Sequence, residues 1–186
     1  MKKILLVCIS ALFVTIGANA QSWGFDPKVG ATFSTANGVT DAKVRTGLTA
    51  GLFFERAVSS WLVMEADLLF TQQGFDVSGT TETKYRADYV SMPVLAKYYL
   101  MGGLNFQLGA QFDYLLGAKE KDGSADAKAV YGLFNKYNIS FMTGMAYDFN
   151  FGLIIEGRYL YGMTQLTSAA TTTRTGCLQV TAGWRF

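Results

Sequence analysis

Eight stretches of this chain alternate apolar and polar residues with a period of two, and that pattern limits the possible folds more than any other feature. In an extended strand, successive side chains point to opposite faces, so a period of two means a strand with one apolar and one polar face. The first stretch sets Trp23, Phe25, Val29, Ala31 and Phe33 against Asp26, Lys28, Gly30, Thr32 and Ser34. The second sets Leu48, Ala50, Leu52 and Phe54 against Gly47, Thr49 and Gly51, and the third sets Leu62, Met64, Ala66, Leu68 and Phe70 against Glu65, Asp67 and Thr71. In the fourth, Val90, Met92, Val94, Ala96 and Tyr98 oppose Ser91, Pro93 and Lys97; in the fifth, Phe106 to Tyr114 oppose Gln107, Gly109, Gln111 and Asp113. The sixth begins at Tyr137 and the seventh at Phe151, where Glu156 and Arg158 hold the polar side. The eighth sets Leu178, Val180, Ala182, Trp184 and Phe186 against Gln179, Thr181 and Arg185.

An eight-stranded closed sheet can turn its apolar face inward, as a soluble ligand carrier does, or outward, as a membrane barrel does. Volume decides between them. The apolar face holds most of the 27 aromatic residues, and the interior of eight strands is only wide enough for modest side chains. The polar face, rich in Gly, Ser and Thr, has the small average size that such a lumen requires. Charges agree, because those within the alternating stretches lie on the polar face, and Lys97 or Arg158 facing lipid would each cost about 2–4 kcal/mol near the bilayer midplane. The connections also alternate, long ones spanning Thr35 to Arg45, Phe75 to Asp88, Glu120 to Lys136 and Gly162 to Thr175. Short turns on the periplasmic side and long loops outside are the habit of outer-membrane barrels. The expected fold is therefore all-β, an eight-stranded antiparallel up-and-down transmembrane β-barrel with both termini in the periplasm. Aromatics near the stretch ends predict two interfacial girdles, with Trp23, Phe54, Tyr98, Phe149, Trp184 and Phe186 at one end and Phe33, Phe70, Tyr114, Tyr137 and Tyr161 at the other.

The N-terminal 20 residues carry a different signal. Lys2 and Lys3 precede an apolar run from Ile4 to Gly17, and Ala18-Asn19-Ala20 has the small-x-small form of a signal-peptidase site. This predicts a signal peptide over 1–20, cleaved near Ala20/Gln21, and one barrel domain over 21–186. Losing two lysines brings the 16 basic residues to the same number as the 14 acidic ones, so no polybasic surface remains for nucleic acid. Cys177 is then the only mature cysteine, and no intramolecular disulfide can form.

The candidate chemistry lies on the inward face. Glu65, Asp67, Lys97, Asp113, Glu156 and Arg158 form a set of both signs at similar depth, which reads as an ion-pair plug rather than a catalytic pair or an ion path. With no histidine, Ser-His and Cys-His nucleophile pairs are impossible, so the expectation is a non-enzyme without cofactor or metal. Asp122, Ser124 and Asp126 have the one-three-five spacing of a calcium loop but lack its later glycine and glutamate, so they read as a solvated loop.

Several stretches carry a family resemblance: Met64-Glu65-Ala66-Asp67-Leu68-Leu69-Phe70 followed by Gln73-Gly74, YVSMPVLAKYY over 89–99, GAQFDYLLGAK over 109–119, EGRYLYG over 156–162, and the ending GWRF. Together they resemble the small eight-stranded outer-membrane barrels of the OmpA/OmpX-like kind, most closely the Bacteroidota-type β-barrel domain often labelled "porin family". The resemblance implies an outer-membrane location, contact with outer-membrane lipids and lipopolysaccharide, and passage through the barrel-assembly machinery, with Trp184 and Phe186 as the C-terminal assembly signal. It also implies a porin-like small-solute channel as the alternative to a plugged barrel of envelope-structural or surface-interaction role. The surface partner is not legible in these residues.

Overall fold

The computed structural model describes residues 24–37, 42–77, 83–122, 128–129, 135–164 and 174–186. The expected signal peptide, Trp23, Ser124 and Asp126 lie outside them. The strands are β1 (Gly24–Asn37), β2 (Ala42–Ala57), β3 (Leu62–Val77), β4 (Thr83–Met101), β5 (Leu104–Asp122), the two-residue β6 (Lys128–Ala129), β7 (Tyr137–Asp148), β8 (Leu153–Gly162) and β9 (Arg174–Trp184). All pairings are antiparallel. The order runs β4-β3-β2-β1-β9-β8-β7-β5, and β4 also pairs with β5, so eight long strands close into a ring. The short β6 extends β5 at Lys119 and Glu120. Closure pairs the first strand with the last in continuous register, Lys28 opposite Gly183 through Asn37 opposite Arg174, and leaves none of the eight long strands as an open edge.

Alternation in the chain becomes inside and outside of the wall. Leu68, Met92, Phe112, Ile155 and Leu178 are each between 44% and 51% exposed, whereas Glu65, Lys97 and Arg158 are at most 1% exposed. The apolar face therefore points outward, the reverse of a soluble carrier. At the short-turn end Trp61 stacks on Tyr98 at 6.0 Å, and Tyr147, Phe149, Phe151 and Trp184 follow one another at 4.7, 5.3 and 6.1 Å around the rim. At the long-loop end Tyr114 and Tyr137 lie 5.4 Å apart, with Phe33, Phe70 and Tyr161 exposed at nearby levels. From Tyr137 to Tyr147 the ten residue steps of β7, at ~3.3 Å each and a tilt of ~40°, give a belt of about 25 Å, the height of a hydrocarbon core.

Two expectations need correction. The strands run past the alternating stretches, so β1 reaches Asn37, β2 begins at Ala42, β3 reaches Val77 and β4 begins at Thr83, which shortens the first two long connections to 38–41 and 78–82. Backbone pairing continues above the belt because ladder hydrogen bonds do not depend on side-chain polarity. These extensions also carry exposed charges on the outer wall, namely Arg56 at the short-turn end and the directly paired Arg86 and Lys119 at the other.

The lumen is also less polar than expected. Leu95, Met142, Leu160 and Cys177 pack together inside it, as do Phe53, Ala146 and Ile154 nearer the short turns. Pro93 points inward as expected, and the β3–β4 ladder is interrupted beside it, between the Ala66–Val94 and Leu69–Ser91 pairs.

Candidate functional site

Inward positions three to five residues in from the short-turn strand ends bring the charges together. Lys28 enters from β1, Glu65 and Asp67 from β3, Lys97 from β4, and Glu156 and Arg158 from β8. All six side chains are fully buried. Lys28 Nζ lies 2.7 Å from Glu65, 3.1 Å from Asp67 and 2.9 Å from Glu156. Arg158 meets the same three carboxylates: Asp67 at 2.6 Å, Glu156 at 2.9 Å, and Glu65. Lys97 joins Glu65 and, at 3.4 Å, Glu156, and reaches Glu55 at 2.5 Å. Three cations therefore stand against three carboxylates at the centre, with no surplus charge.

Neutral groups complete the shell. Arg158 Nε donates to Gln107 Oε1 at 2.7 Å, and Thr181 Oγ1 donates to Glu156 Oε2 at 2.9 Å. The ring of Phe53 lies under both lysines, 4.6 Å from Lys28 Nζ and 5.7 Å from Lys97 Nζ, a cation–π arrangement in a site shielded from water. Toward the short turns the network continues to the rim, where Arg185 pairs with Glu55 and, at 2.8 Å, with Asp148; Asp148 also accepts from Tyr99 at 2.6 Å. At this rim an open cavity of about 540 Å³ is bordered by Tyr99, Asp148, Arg185 and Phe151.

Asp113 does not join the ion pairs. Its carboxylate accepts from Ser91 Oγ at 2.5 Å, Gln111 Nε2 at 2.8 Å and Asn138 Nδ2 at 3.3 Å, all neutral donors. The apolar group of Leu95, Met142, Leu160 and Cys177 lies between it and the charges, each of its members one or two inward positions closer to the long loops than the network residue on the same or the adjoining strand. Trp184 ends β9 on the outer face, and Phe186 is 92% exposed; its backbone N–H donates to Asp26 Oδ1 at 3.0 Å.

Sequence reasoning passed over Lys28, Glu55, Asp148, Arg185, Phe53 and Gln107 as members of the network. Lys28 had a usable signal, since it occupies the polar face of the first stretch. Arg185 had the same signal on the polar face of the eighth stretch, Glu55 and Asp148 lie where the alternation fades at strand ends, and Phe53 contradicts it by following the pattern's polar parity with an aromatic ring.

Chemically the arrangement holds charge rather than moves it. Each central carboxylate is fixed by two or three cations and none is open to solvent, so none can meet a substrate as acid or base. Among the described residues no cluster of His, Cys, Asp and Glu is arranged to hold a metal ion.

Known proteins share this architecture. The Yersinia pestis attachment invasion locus protein Ail, in a structure solved with the heparin analogue sucrose octasulfate, is 17% identical and superposes with a TM-score of 0.53, covering 89% of this chain and 100% of that one. Neisserial surface protein A is 14% identical with a TM-score of 0.55, covering 87% and 97%. At such identities the likeness speaks for the fold alone. No curated protein matches the chain in sequence. Residues 17–168 match the family described as "Outer membrane protein beta-barrel domain", a span that stops short of β9, the strand that closes the ring. With its outward apolar belt, closed eight-stranded wall and this match, the chain belongs to the outer membrane β-barrel protein family and is an outer-membrane protein.

Proposed function

We propose that this is a non-enzymatic barrel whose lumen is permanently closed and whose long-loop end serves an envelope-structural or surface-interaction role. The observation that carries the reading is the burial of Lys28, Lys97 and Arg158. Each side chain has no solvent exposure, and each bonds two or more carboxylates from other strands across the lumen. Opening a water path would require separating these pairs, and an eight-stranded interior has no room to move them aside. The outward belt puts the wall in contact with outer-membrane lipids, and the loops 38–41, 78–82 and those after β5 and β8 are left to meet lipopolysaccharide or a surface partner. In this reading residues 1–20 are a signal peptide, and Trp184 and Phe186 present the strand end to the barrel-assembly machinery.

Planar-bilayer recording of the purified protein is the direct test. The expected result is a quiet bilayer, or rare brief events. Steady, uniform openings would overturn the plug and leave the porin-like small-solute channel in its place.

A further inference from the structure

Two cations face each other on the outer wall, above the apolar belt. Arg86 on β4 and Lys119 on β5 are directly paired, and both are exposed. Like charges in opposite positions of a ladder repel and destabilise it. A third cation adds to the repulsion. Arg45 of β2 has its Cδ 2.8 Å from where a Cβ at Gly74 would stand; Gly74 is the β3 partner of Arg86, and the Arg86 charge opposes that of Arg45. The nearby carboxylates are engaged elsewhere: Asp76 lies 3.6 Å from the Arg45 guanidinium, and Asp88 accepts from Gln72 Nε2 at 3.3 Å. Among the described residues, neither Arg86 nor Lys119 has an ion-pair partner. The same two strands set the depth. Val90 is paired with Tyr114 of the outer girdle, and Arg86 stands four residues further along β4, about 10 Å beyond that ring at ~3.3 Å per residue and a tilt of ~40°. Below, Met92 is paired with Phe112, so an apolar wall runs from the cations down into the membrane.

We propose that Arg86 and Lys119 clamp a phosphate of the outer-leaflet glycolipid, lipopolysaccharide, whose acyl chains lie against Val90, Met92, Phe112 and Tyr114. This rests on the reading that the long-loop end meets lipopolysaccharide, and it assigns that contact to one place on the wall. The leaflet follows from the long loops being outside in barrels of this kind. Charge selects the occupant: an anion between the two cations relieves their repulsion and takes charge-assisted bonds from both, with Arg86 presenting the fork that suits a phosphate. Depth agrees, since the head-group layer extends about 5–8 Å beyond the hydrocarbon and long side chains reach across the remainder. The apolar wall beneath the cations suits an anion that carries acyl chains, not a free one.

Native mass spectrometry of the intact barrel, released from a neutral detergent after incubation with diphosphorylated lipid A, the membrane anchor of lipopolysaccharide, tests the clamp. The wild type should hold lipid A about tenfold more tightly than the same lipid stripped of its phosphates, the gain expected for a charge-assisted contact. The double substitution of Arg86→Gln with Lys119→Gln should hold the two forms alike. Arg56→Gln, which removes an exposed charge at the opposite end of the wall, should match the wild type. Folded-barrel gel migration checks that each variant has assembled; should the double variant fail, Arg86→Gln alone decides, because it removes the forked contact. An equal preference for phosphate in the wild type and the double variant would overturn the clamp. So would an equal loss with Arg56→Gln, the sign of a general charge effect, or displacement of lipid A by excess inorganic phosphate, the sign of a soluble-anion site. Steady openings in a planar bilayer would refute the plug and leave the lipid A result standing.

Discussion

Arg158→Gln removes the cation with the most partners and keeps a polar side chain of similar reach. In the folded barrel Arg158 contacts Glu65, Asp67 at 2.6 Å, Glu156 at 2.9 Å and Gln107 at 2.7 Å, all without solvent. After the substitution two central cations face three carboxylates, so one negative charge is left uncompensated in a dry lumen. Removing one member of a buried pair costs about 3–5 kcal/mol. At about 2–4 °C per kcal/mol for a chain of this length, the midpoint of thermal unfolding should fall by roughly 6–20 °C. The assay is the fraction of protein keeping folded-barrel gel migration after heating in detergent, with the urea midpoint in lipid as a second reading. Lys28→Met should behave alike, because Lys28 touches the same three carboxylates. Adding Glu156→Gln to Arg158→Gln restores the charge balance and should recover about 1 kcal/mol or more, since residues in one network couple by about 0.5–3 kcal/mol. A melting midpoint for Arg158→Gln within about 2 °C of wild type would refute the reasoning, since no buried charge could then have been left uncompensated.

Other positions should respond according to where they sit in the wall. Arg185→Gln breaks contacts at a rim where that side chain is about one-third exposed, so its cost should stay within about 1 kcal/mol in the same melting assay. Leu108→Arg puts a charge on the lipid face of β5 and should cost about 2–4 kcal/mol in urea unfolding from bilayers, whereas Leu108→Phe should be nearly neutral. Gly109→Ala should impair assembly, because its Cβ would stand 2.2 Å from the Val94 carbonyl oxygen and 2.7 Å from Leu95 Cα; normal yields of heat-modifiable protein would contradict that crowding. Cys177, 1% exposed among lumen side chains, should resist a maleimide reagent in the folded barrel and react once it is unfolded.

The face of nearly every belt residue was legible because strand geometry permits only two directions. Glu65, Asp67, Lys97, Glu156 and Arg158 all share the inward parity, and the structure places them within contact of one another. Asp113 has the same parity and the same chemistry, yet it lies one apolar layer away. Parity is a property of each strand alone, whereas depth depends on the stagger between strands, and that stagger is set by pairing. The two residues that most alter the site illustrate this. Lys28 lies on β1 far from the other charges in the chain, and only the closing contact of β1 with β9 and β2 brings it over Glu65 and Glu156. Phe53 follows the inward parity despite its ring, and its place is explained by contacts from other strands, the two ammonium groups above it and the apolar side chains of Ala146 and Ile154.

The amino-acid pattern by itself determined that this chain makes two-faced strands, that the apolar face is too bulky to be enclosed, and that the barrel must therefore face lipid. Those conclusions need only side-chain size, charge and a period of two. Tertiary structure decided the rest: how far the strands continue past the belt, which charges pair, and that an apolar cluster from β4, β7, β8 and β9 stands between them and Asp113. The physical reason is that each of these depends on the relative register of neighbouring strands, and a two-residue sliding of one strand past another keeps every side chain on its own face while changing every partner it meets.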